Sequence, residues 1–206
     1  MKIYISHTSP FARIPRIVLR EKRLVDRIEE VVPQMRVPDS PYYQVNPSGR
    51  IPFLRVDEGF TIEGSDLIAA YFDHLDGKPL FDMPTGVERW HALHMQEMAR
   101  SLMDGLAVWV RELKRPSEEQ SPTTLTHEET RSERLLAWWE ARAHEPLLNG
   151  PLNMIQITLA SALDLDRRIG PFNWRGDHPG LNQWINGLAA RPSLRDTAAL
   201  DGSMVG

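Results

Sequence analysis

Apolar residues in the first 76 positions alternate between short strand-like runs and stretches with helical spacing. Runs of β-branched and aromatic residues predict strands at 2–6, 28–33, 53–57 and 60–62. Ser9-Pro10 predicts the start of a helix between the first two strands, with a hydroxyl at the N-cap and a proline at the first helical position. Ser65 predicts the start of another helix after the last strand.

The order of these elements predicts how the strands pair. A strand, a helix and a strand in succession form a right-handed crossover, so the first two strands should be parallel. The third and fourth strands are separated only by the turn at 57–59, which is short enough to require an antiparallel hairpin. Residues 34–45 contain Pro38 and Pro41 and are predicted to form a loop.

The apolar positions beyond residue 85 follow helical spacing. A long amphipathic helix is predicted from the stripe Met95, Met98, Leu102, Leu106, Trp109 and Leu113. Further helices are predicted from Thr126, from Asn153 and around Trp184. The chain is therefore predicted to have an α/β domain at 1–77, a linker at 78–84 and an all-α domain at 85–206.

Composition and charge exclude several classes of function. The formal net charge is -4 over 206 residues, which argues against nucleic-acid binding and against a polybasic membrane-surface protein. The chain has no cysteine, so any thiol in its chemistry must come from a ligand. No apolar run approaches the roughly 18 residues of a membrane span, and we expect a cytoplasmic protein that does not enter a membrane.

Pro52 lies at the entrance to the third predicted strand, where a proline needs an explanation. It has no amide hydrogen and cannot take a full place in a central ladder. A cis Ile51–Pro52 bond costs only about 0.5–1 kcal/mol and would leave the backbone of Ile51 facing outward. We therefore hypothesise that this edge presents Ile51 to a ligand.

Motifs in the first half of the chain resemble those of the cytosolic glutathione transferase family. They are Ser9-Pro10-Phe11-Ala12-Arg13, then Asn46-Pro47-Ser48-Gly49-Arg50-Ile51-Pro52-Phe53-Leu54, then Ser65-Asp66-Leu67-Ile68-Ala69-Ala70-Tyr71. In the second half, 152–157 and 190–193 are similar to the family's helical-domain motifs. The chain looks most similar to bacterial branches that have a serine near the first helix.

The resemblance implies a fold and an activity. It implies a thioredoxin-like N-terminal domain that binds glutathione as co-substrate and a helical C-terminal domain that holds the second substrate. The implied reaction conjugates the glutathione thiolate to a small apolar electrophile, as in detoxification, and the implied assembly is a homodimer. The alternative is a non-catalytic binding or interaction module on the same fold.

The resemblance also assigns site residues. Ser9 would face the sulfur, although Thr8 and Ser6 are nearby hydroxyls that could serve instead. The backbone of Ile51, before Pro52, would pair with the cysteinyl part of glutathione. Ser65 would bind the γ-glutamyl carboxylate, with Arg50 and Gly64 beside these contacts. The family usually has an acid immediately before that serine, whereas this chain has Gly64 there and Glu63 one place earlier.

Candidates for the substrate pocket come from the starts of two predicted helices. They are Phe11, Met98, Ser101, Met103 and Asp104. Arg13, one turn into the first helix, would add positive potential or face solvent. His91 and His94 lie one turn apart, but without a further ligand cluster we expect solvent-facing or cleft-lining residues and no metal site.

Overall fold

A computed structural model describes residues 1–169 and 173–199. These residues fall into two compact units, the first made of Met1–Leu80 with the segment from Ser193 onward, and the second of Phe81–Pro192. The predicted all-α domain at 85–206 includes the segment from Ser193, which contacts place with the first unit. Residues 170–172 and 200–206 of that predicted domain lie outside the described residues, and its functional boundaries stay a prediction.

The first unit contains a four-stranded mixed sheet with helices α1 and α3 in contact with each other. The strands are β1 (Lys2–Tyr4), β2 (Glu29–Val31), β3 (Phe53–Arg55) and β4 (Thr61–Glu63), in the order β2-β1-β3-β4. The helices are α1 (Pro10–Glu21), α2 (Tyr42–Val45) and α3 (Ser65–His74). β1 pairs with β2 in parallel, and β3 is antiparallel to both β1 and β4, so the predicted crossover and hairpin are confirmed.

Helix α2 lies in a segment that the sequence predicted to be loop, and that prediction is wrong for its residues. Ser40 accepts a hydrogen bond from the Tyr42 amide at 3.2 Å, and Pro41 has a helical φ of -55° at the N-cap. A proline before the first turn favours a helix instead of breaking it, because the amide hydrogen it lacks has no partner there in any case.

All the regular elements in the described part of the second unit are helices. They are α4 (Gly86–Leu113), α5 (Pro122–Glu140), α6 (Pro146–Asn149), α7 (Met154–Leu163), α8 (Trp174–Asp177) and α9 (Pro179–Ala189), and α10 (Pro192–Arg195) follows. Every residue of α7 is buried, which confirms that it is central to this unit. None of the described helices combines the length and the apolar character that a membrane span requires.

Helix α5 begins earlier than the sequence predicted. The prediction placed the start at Thr126, whereas the Ser121 hydroxyl caps the helix by accepting from the Thr124 amide at 3.2 Å. The Ser-Pro pair before α5 is the same signal as the one before α1. Near this helix, a Cβ on Gly105 of α4 would lie 2.7 Å from the Glu128 carboxylate, so the glycine marks close packing.

Candidate functional site

The starts of two helices and the entrance to β3 lie at one end of the sheet. The register pairs Phe53 of β3 with Tyr4 of β1 and with Glu63 of β4. Because β3 is antiparallel to both neighbours, its entrance lies beside the ends of β1 and β4. The α1 start at Ser9, which follows β1, and the α3 start at Ser65, which follows β4, are therefore brought to the edge that carries Ile51.

Ser9 is the N-cap of α1. Its backbone is extended, and its Oγ accepts a hydrogen bond from the Ala12 amide at 3.2 Å. A hydroxyl carries one donor and two acceptor positions, so this bond leaves the Ser9 proton available to a ligand. The positive end of the α1 dipole adds to the attraction of an anion at this position.

The neighbouring hydroxyls are arranged differently. The Ser6 Oγ and Thr8 Oγ1 atoms lie 2.9 Å apart, and the Thr8 amide donates to Ser6 Oγ at 3.3 Å. One of the two hydroxyl protons is therefore used in the bond between them. In the described part of the chain the Ser9 hydroxyl only accepts, so its proton is not used in a bond to another protein group.

Two side chains from the preceding segment fix the turn before β3. The Ile51–Pro52 peptide bond is cis. The carbonyl of Arg50 accepts from the Tyr42 hydroxyl at 2.5 Å and from the Asn46 amide at 3.0 Å. Ile51 is partly exposed, and within the described residues no hydrogen bond uses its backbone amide or carbonyl. The geometry therefore leaves the Ile51 backbone open at the edge where the two helices start.

Gly64 has a physical reason to be glycine. Its φ is 104° at the N-cap of α3, a conformation that side chains with a Cβ rarely adopt. Glu63, one place earlier, accepts from the Asn46 amide at 3.0 Å and from the Ser48 hydroxyl at 2.5 Å. Neither the special φ nor these bonds could be seen in the sequence, where only the change in residue type was visible. Ser65, the first residue of α3, is buried, and Arg50 is exposed.

Arg13 does not face solvent, which excludes one of the two alternatives for this residue. Its side chain is buried, and its guanidinium donates to the carbonyl of Leu194 at 2.9 Å and to the Thr197 hydroxyl at 3.3 Å. A residue next to the predicted site motif thus anchors the last described segment of the chain. Sequence reasoning missed this role because the partners lie more than 180 positions away.

The pocket candidates differ in exposure. Phe11 in the first unit is partly exposed. Met98, Ser101 and Asp104 in the second unit are also partly exposed, and their spacing of three places them on one side of α4. Met103 is fully buried, so its side chain offers no surface to a ligand in this conformation.

The histidine pair of α4 makes contacts of its own. The imidazole of His91 is exposed, with Nε2 3.5 Å from a carboxylate oxygen of Glu145. The ring of His94 packs edge-on against Trp138 at a centroid distance of 5.8 Å. The guanidinium of Arg142 lies 3.8 Å from the same indole ring. These contacts describe an aromatic and charged surface of the second unit, which the sequence did not indicate.

Comparison with known proteins places this geometry in a family. The family model described as "Glutathione S-transferase, N-terminal domain" matches residues 8–75. An uncharacterized GST-like protein, YibF, of Escherichia coli (strain K12) is 30% identical over 200 residues, which is 96% of this chain and 98% of that protein. The chain belongs to the glutathione transferase family. The resemblance in the sequence motifs is therefore confirmed.

Solved structures of glutathione transferase family members have the same architecture. One from Pseudomonas fluorescens Pf-5, with bound glutathione, is 30% identical with a TM-score of 0.86 and covers 97% of this chain and 98% of its own. One from Methylobacillus flagellatus KT, with glutathione bound, is 25% identical with a TM-score of 0.86 and covers 97% and 99%. The predicted architecture, a thioredoxin-like sheet followed by a helical domain, is confirmed.

Proposed function

We propose that this family member is a glutathione transferase that joins the glutathione thiolate to a small apolar electrophile. The observation that carries the proposal is the convergence of the α1 start, the α3 start and the open Ile51 backbone at one end of the sheet. An extended anionic peptide suits such an edge, because it can add backbone hydrogen bonds to a strand and place its negative groups at helix N-termini.

Ser9 is the proposed catalytic residue. The glutathione thiol has a pKa near that of free cysteine, about 8.5, so a dominant thiolate at neutral pH needs a shift of roughly two units, about 3 kcal/mol. A hydrogen bond to a charged acceptor contributes about 1.5–3 kcal/mol, and the helix dipole about 0.3–1 kcal/mol. The Ser9 hydroxyl and the start of α1 therefore supply enough stabilisation between them.

The reaction needs no thiol from the protein. The thiolate sulfur supplies the electron pair of the new carbon–sulfur bond, and the group displaced from carbon leaves with its own bonding pair. Where the electrophile is a polarised double bond, its carbanionic end takes a proton from water instead. The protein's contribution is to hold the ionised sulfur and the carbon together in the attacking geometry.

The rest of glutathione is assigned to the neighbouring groups. The Ile51 amide and carbonyl would bind the cysteinyl backbone, and Pro52 keeps this residue out of the ladder. Ser65 and the first amides of α3 would bind the γ-glutamyl carboxylate, with Gly64 and Arg50 beside them.

The electrophile is assigned to apolar and partly exposed groups. In the first unit the proposed contact is Phe11, and in the second unit the proposed contacts are Met98, Ser101 and Asp104 on one side of α4, with Met103 buried in the same helix. A homodimer remains part of the proposal, and light scattering after gel filtration would measure it.

One observation favours the alternative of a non-catalytic binding module. Gly64 supplies no acid for the amino group of glutathione, and the Glu63 carboxylate already accepts two hydrogen bonds from Asn46 and Ser48. A weakly held glutathione would suit a binding role better than turnover.

Thiolate absorbance in the ultraviolet separates the two functions. We would titrate the protein with glutathione, and then follow the absorbance of the bound thiol against pH. The transferase proposal predicts saturable binding at millimolar glutathione or below and a thiol pKa about two units below that of free glutathione. Binding without a shift favours the module, and the absence of saturable binding at millimolar glutathione rejects the transferase proposal.

Ser9→Ala is the decisive variant, and Ser121→Ala is its matched control. Both serines precede a proline and cap a helix through a bond of 3.2 Å, so each alanine removes the same cap and about 1 kcal/mol of stability. Only Ser9→Ala should return the thiol pKa toward its free value. If Ser121→Ala has the same effect on the pKa, the change reflects stability, and Ser9 is not the donor.

A further inference from the structure

The backbone of Arg50 is held on both sides by side chains from α2, the following turn and β4. Its carbonyl accepts from the Tyr42 hydroxyl and from the Asn46 amide, and its own amide donates to the Ser48 hydroxyl at 3.1 Å. Glu63 joins the set by accepting from Asn46 and Ser48. We call these side chains, Tyr42, Asn46, Ser48 and Glu63, the Arg50 clamp.

The clamp acts on Ile51 through the peptide plane. The carbonyl of Arg50 and the amide of Ile51 belong to one planar peptide unit, and in a trans unit they point in opposite directions. This bond is not among the cis peptides of the described residues. Because Tyr42 and Asn46 fix the direction of the carbonyl, they also fix the direction of the Ile51 amide, which points away from the clamp.

Glu63 stabilises the clamp by accepting hydrogen bonds from two of its members. Asn46 is 2% exposed, so its amide hydrogens need protein acceptors, and they find the Arg50 carbonyl and the Glu63 carboxylate. The Ser48 hydroxyl donates to the same carboxylate and accepts from the Arg50 amide, so it links the two groups. Without Glu63, one hydrogen of a buried amide and the Ser48 proton would both lose their acceptor.

We infer that Glu63 is a positioning residue that orients the Ile51 amide for its ligand, and that it does not itself bind the ligand's ammonium group. The inference rests on the proposed function for the identity of the ligand, a thiol peptide that pairs with the Ile51 backbone. It assigns the acid that stands one place before Gly64 to the scaffold of the site. The site should accordingly select the peptide backbone and carboxylate of its ligand more strongly than the amino group.

Two variants and two ligands separate positioning from direct contact. Glu63→Ala removes both accepted bonds, whereas Glu63→Gln keeps an oxygen that can accept from Asn46 and Ser48. The ligands are glutathione and its desamino analogue, glutaryl-cysteinylglycine. Positioning predicts that Glu63→Ala raises the Kd of both ligands about tenfold and that Glu63→Gln raises both less than about threefold.

Direct contact with the ammonium predicts a different pattern. Glu63→Ala and Glu63→Gln would then weaken glutathione equally, and neither would affect the desamino analogue. That pattern, or an unchanged Kd for both ligands in Glu63→Ala, overturns the inference. Glu58→Ala is the matched control, because Glu58 is an exposed acid in the same hairpin and makes none of the clamp's bonds. It should leave both Kd values unchanged.

A measurement without ligand keeps the inference separate from the proposed function. In the free protein, Glu63→Ala should speed hydrogen exchange of the Arg50 amide at least fivefold, because its acceptor Ser48 is no longer held. Glu58→Ala should not change it. If the parent fails to bind glutathione, the proposed function is rejected, and the exchange rate of the Arg50 amide alone then tests whether Glu63 holds the Arg50 backbone. An unchanged Arg50 rate in Glu63→Ala overturns it.

Discussion

Gly49 occupies a turn position that another residue could fill only with strain. Its φ is +65°, and a Cβ would lie 2.9 Å from Cε1 of Tyr43. The Tyr43 hydroxyl accepts from the Arg36 amide at 3.0 Å, which restrains the ring from moving aside. Gly77 has a similar φ of +70°, but a Cβ there would have nothing within 4 Å. Comparing the two positions therefore separates the cost of backbone strain from the cost of steric overlap.

Gly77→Ala should lower the free energy of unfolding by about 1–2 kcal/mol through backbone strain alone. Gly49→Ala should cost at least about 1 kcal/mol more, because the added methyl overlaps a restrained ring. Urea unfolding of both variants measures the difference. Equal losses would show that the Tyr43 ring yields freely.

Tyr42 should make the stability of the protein depend on alkaline pH. Burial, together with the negative charge of Glu63, raises the pKa of Tyr42 to about 12, against its ordinary value of 10.0. A raised folded-state pKa contributes stability that is fully present below the unfolded value and is lost as the pH rises from about 10 through 12. Tyr42→Phe removes the titrating group and keeps the ring that packs against Tyr4 at 5.2 Å.

The comparison is made by urea unfolding at pH values from about 8 to about 11. The parent should lose stability relative to Tyr42→Phe across the upper part of that range. Parallel curves for the two proteins would mean that Tyr42 does not titrate abnormally.

Residue types at the site were predictable from the sequence, but their bonds were not. The proline at 52 and the serine at 9 gave a local signal, because caps and turn prolines depend on adjacent residues. Ser65 was also expected to cap its helix, and that expectation is wrong, since Gly64 is the N-cap of α3 and Ser65 is its first residue. The bonds of Glu63 depend on a turn 15 positions away and on the pairing of β3 with β4, so no local pattern indicated them. The sequence showed only that Gly64 stands where the family usually has an acid. The positive φ that explains the glycine could not be predicted from one sequence.

At the scale of elements, the Glu30 carboxylate connects β2 to α1 through two ion pairs. Glu30 accepts from Arg16 at 3.0 Å and from Arg20 at 3.3 Å, and the Arg16 side chain is 6% exposed. Burial raises the pKa of Glu30, but the hydrogen bonds and charges of the two arginines outweigh it and hold the pKa below the usual 4.5. The carboxylate is therefore charged and paired at neutral pH.

Glu30→Gln should lower the free energy of unfolding at pH 7 by about 1–2 kcal/mol, since Glu30 is partly screened by solvent. A depressed folded-state pKa contributes stability that is present above the unfolded value and lost as the pH falls. The difference from the parent should thus shrink below a pH of about 4.5. Thermal unfolding of both proteins between about pH 3 and about pH 7 measures this difference in stability.

The neighbouring Glu29 provides the control for this pair. Its contact with Lys2 is 3.0 Å long, but both side chains are more than half exposed. Glu29→Gln should lower the free energy of unfolding by less than about 1 kcal/mol, and this loss should depend little on pH. A cost equal to that of Glu30→Gln would contradict the importance of burial.

The order and type of the elements followed from the sequence because periodicity and caps are local. Strand and helix alternation predicted the sheet, and the apolar run at 154–160 predicted the buried helix α7. The start of α5 was missed because Thr126 offered a capping-box spacing that competed with Ser121-Pro122. The sequence does not indicate helix α2, because Pro38 and Pro41 in the preceding residues predict a loop.

At the scale of the whole molecule, the end of the described chain packs with its beginning. The Ser193 hydroxyl bonds to the Glu21 carboxylate, and Arg13 holds Leu194 and Thr197. The first unit is therefore assembled from both ends of the chain, with the helical unit inserted between them. Nothing local in the sequence at 193–199 indicates that this segment contacts α1, so helical periodicity alone groups it with the helices that precede it.

Arg13→Met should remove the charged donors and retain much of the apolar volume. We expect a loss of about 2–3 kcal/mol in unfolding free energy, because two hydrogen bonds from a buried cation disappear. Hydrogen exchange at 193–197 should speed up at the same time. Arg55→Met, at an exposed position on β3, should change neither quantity.

The bond between Arg13 and Thr197 also has a consequence for biosynthesis. The two residues are 184 positions apart, and a ribosome adds about 5–20 residues per second, so the partner of Arg13 is made about 10–40 s after Arg13 itself. During that interval Arg13 has not yet met the two acceptors that Leu194 and Thr197 provide. The first unit therefore cannot form these bonds until the whole helical unit between them has been synthesised.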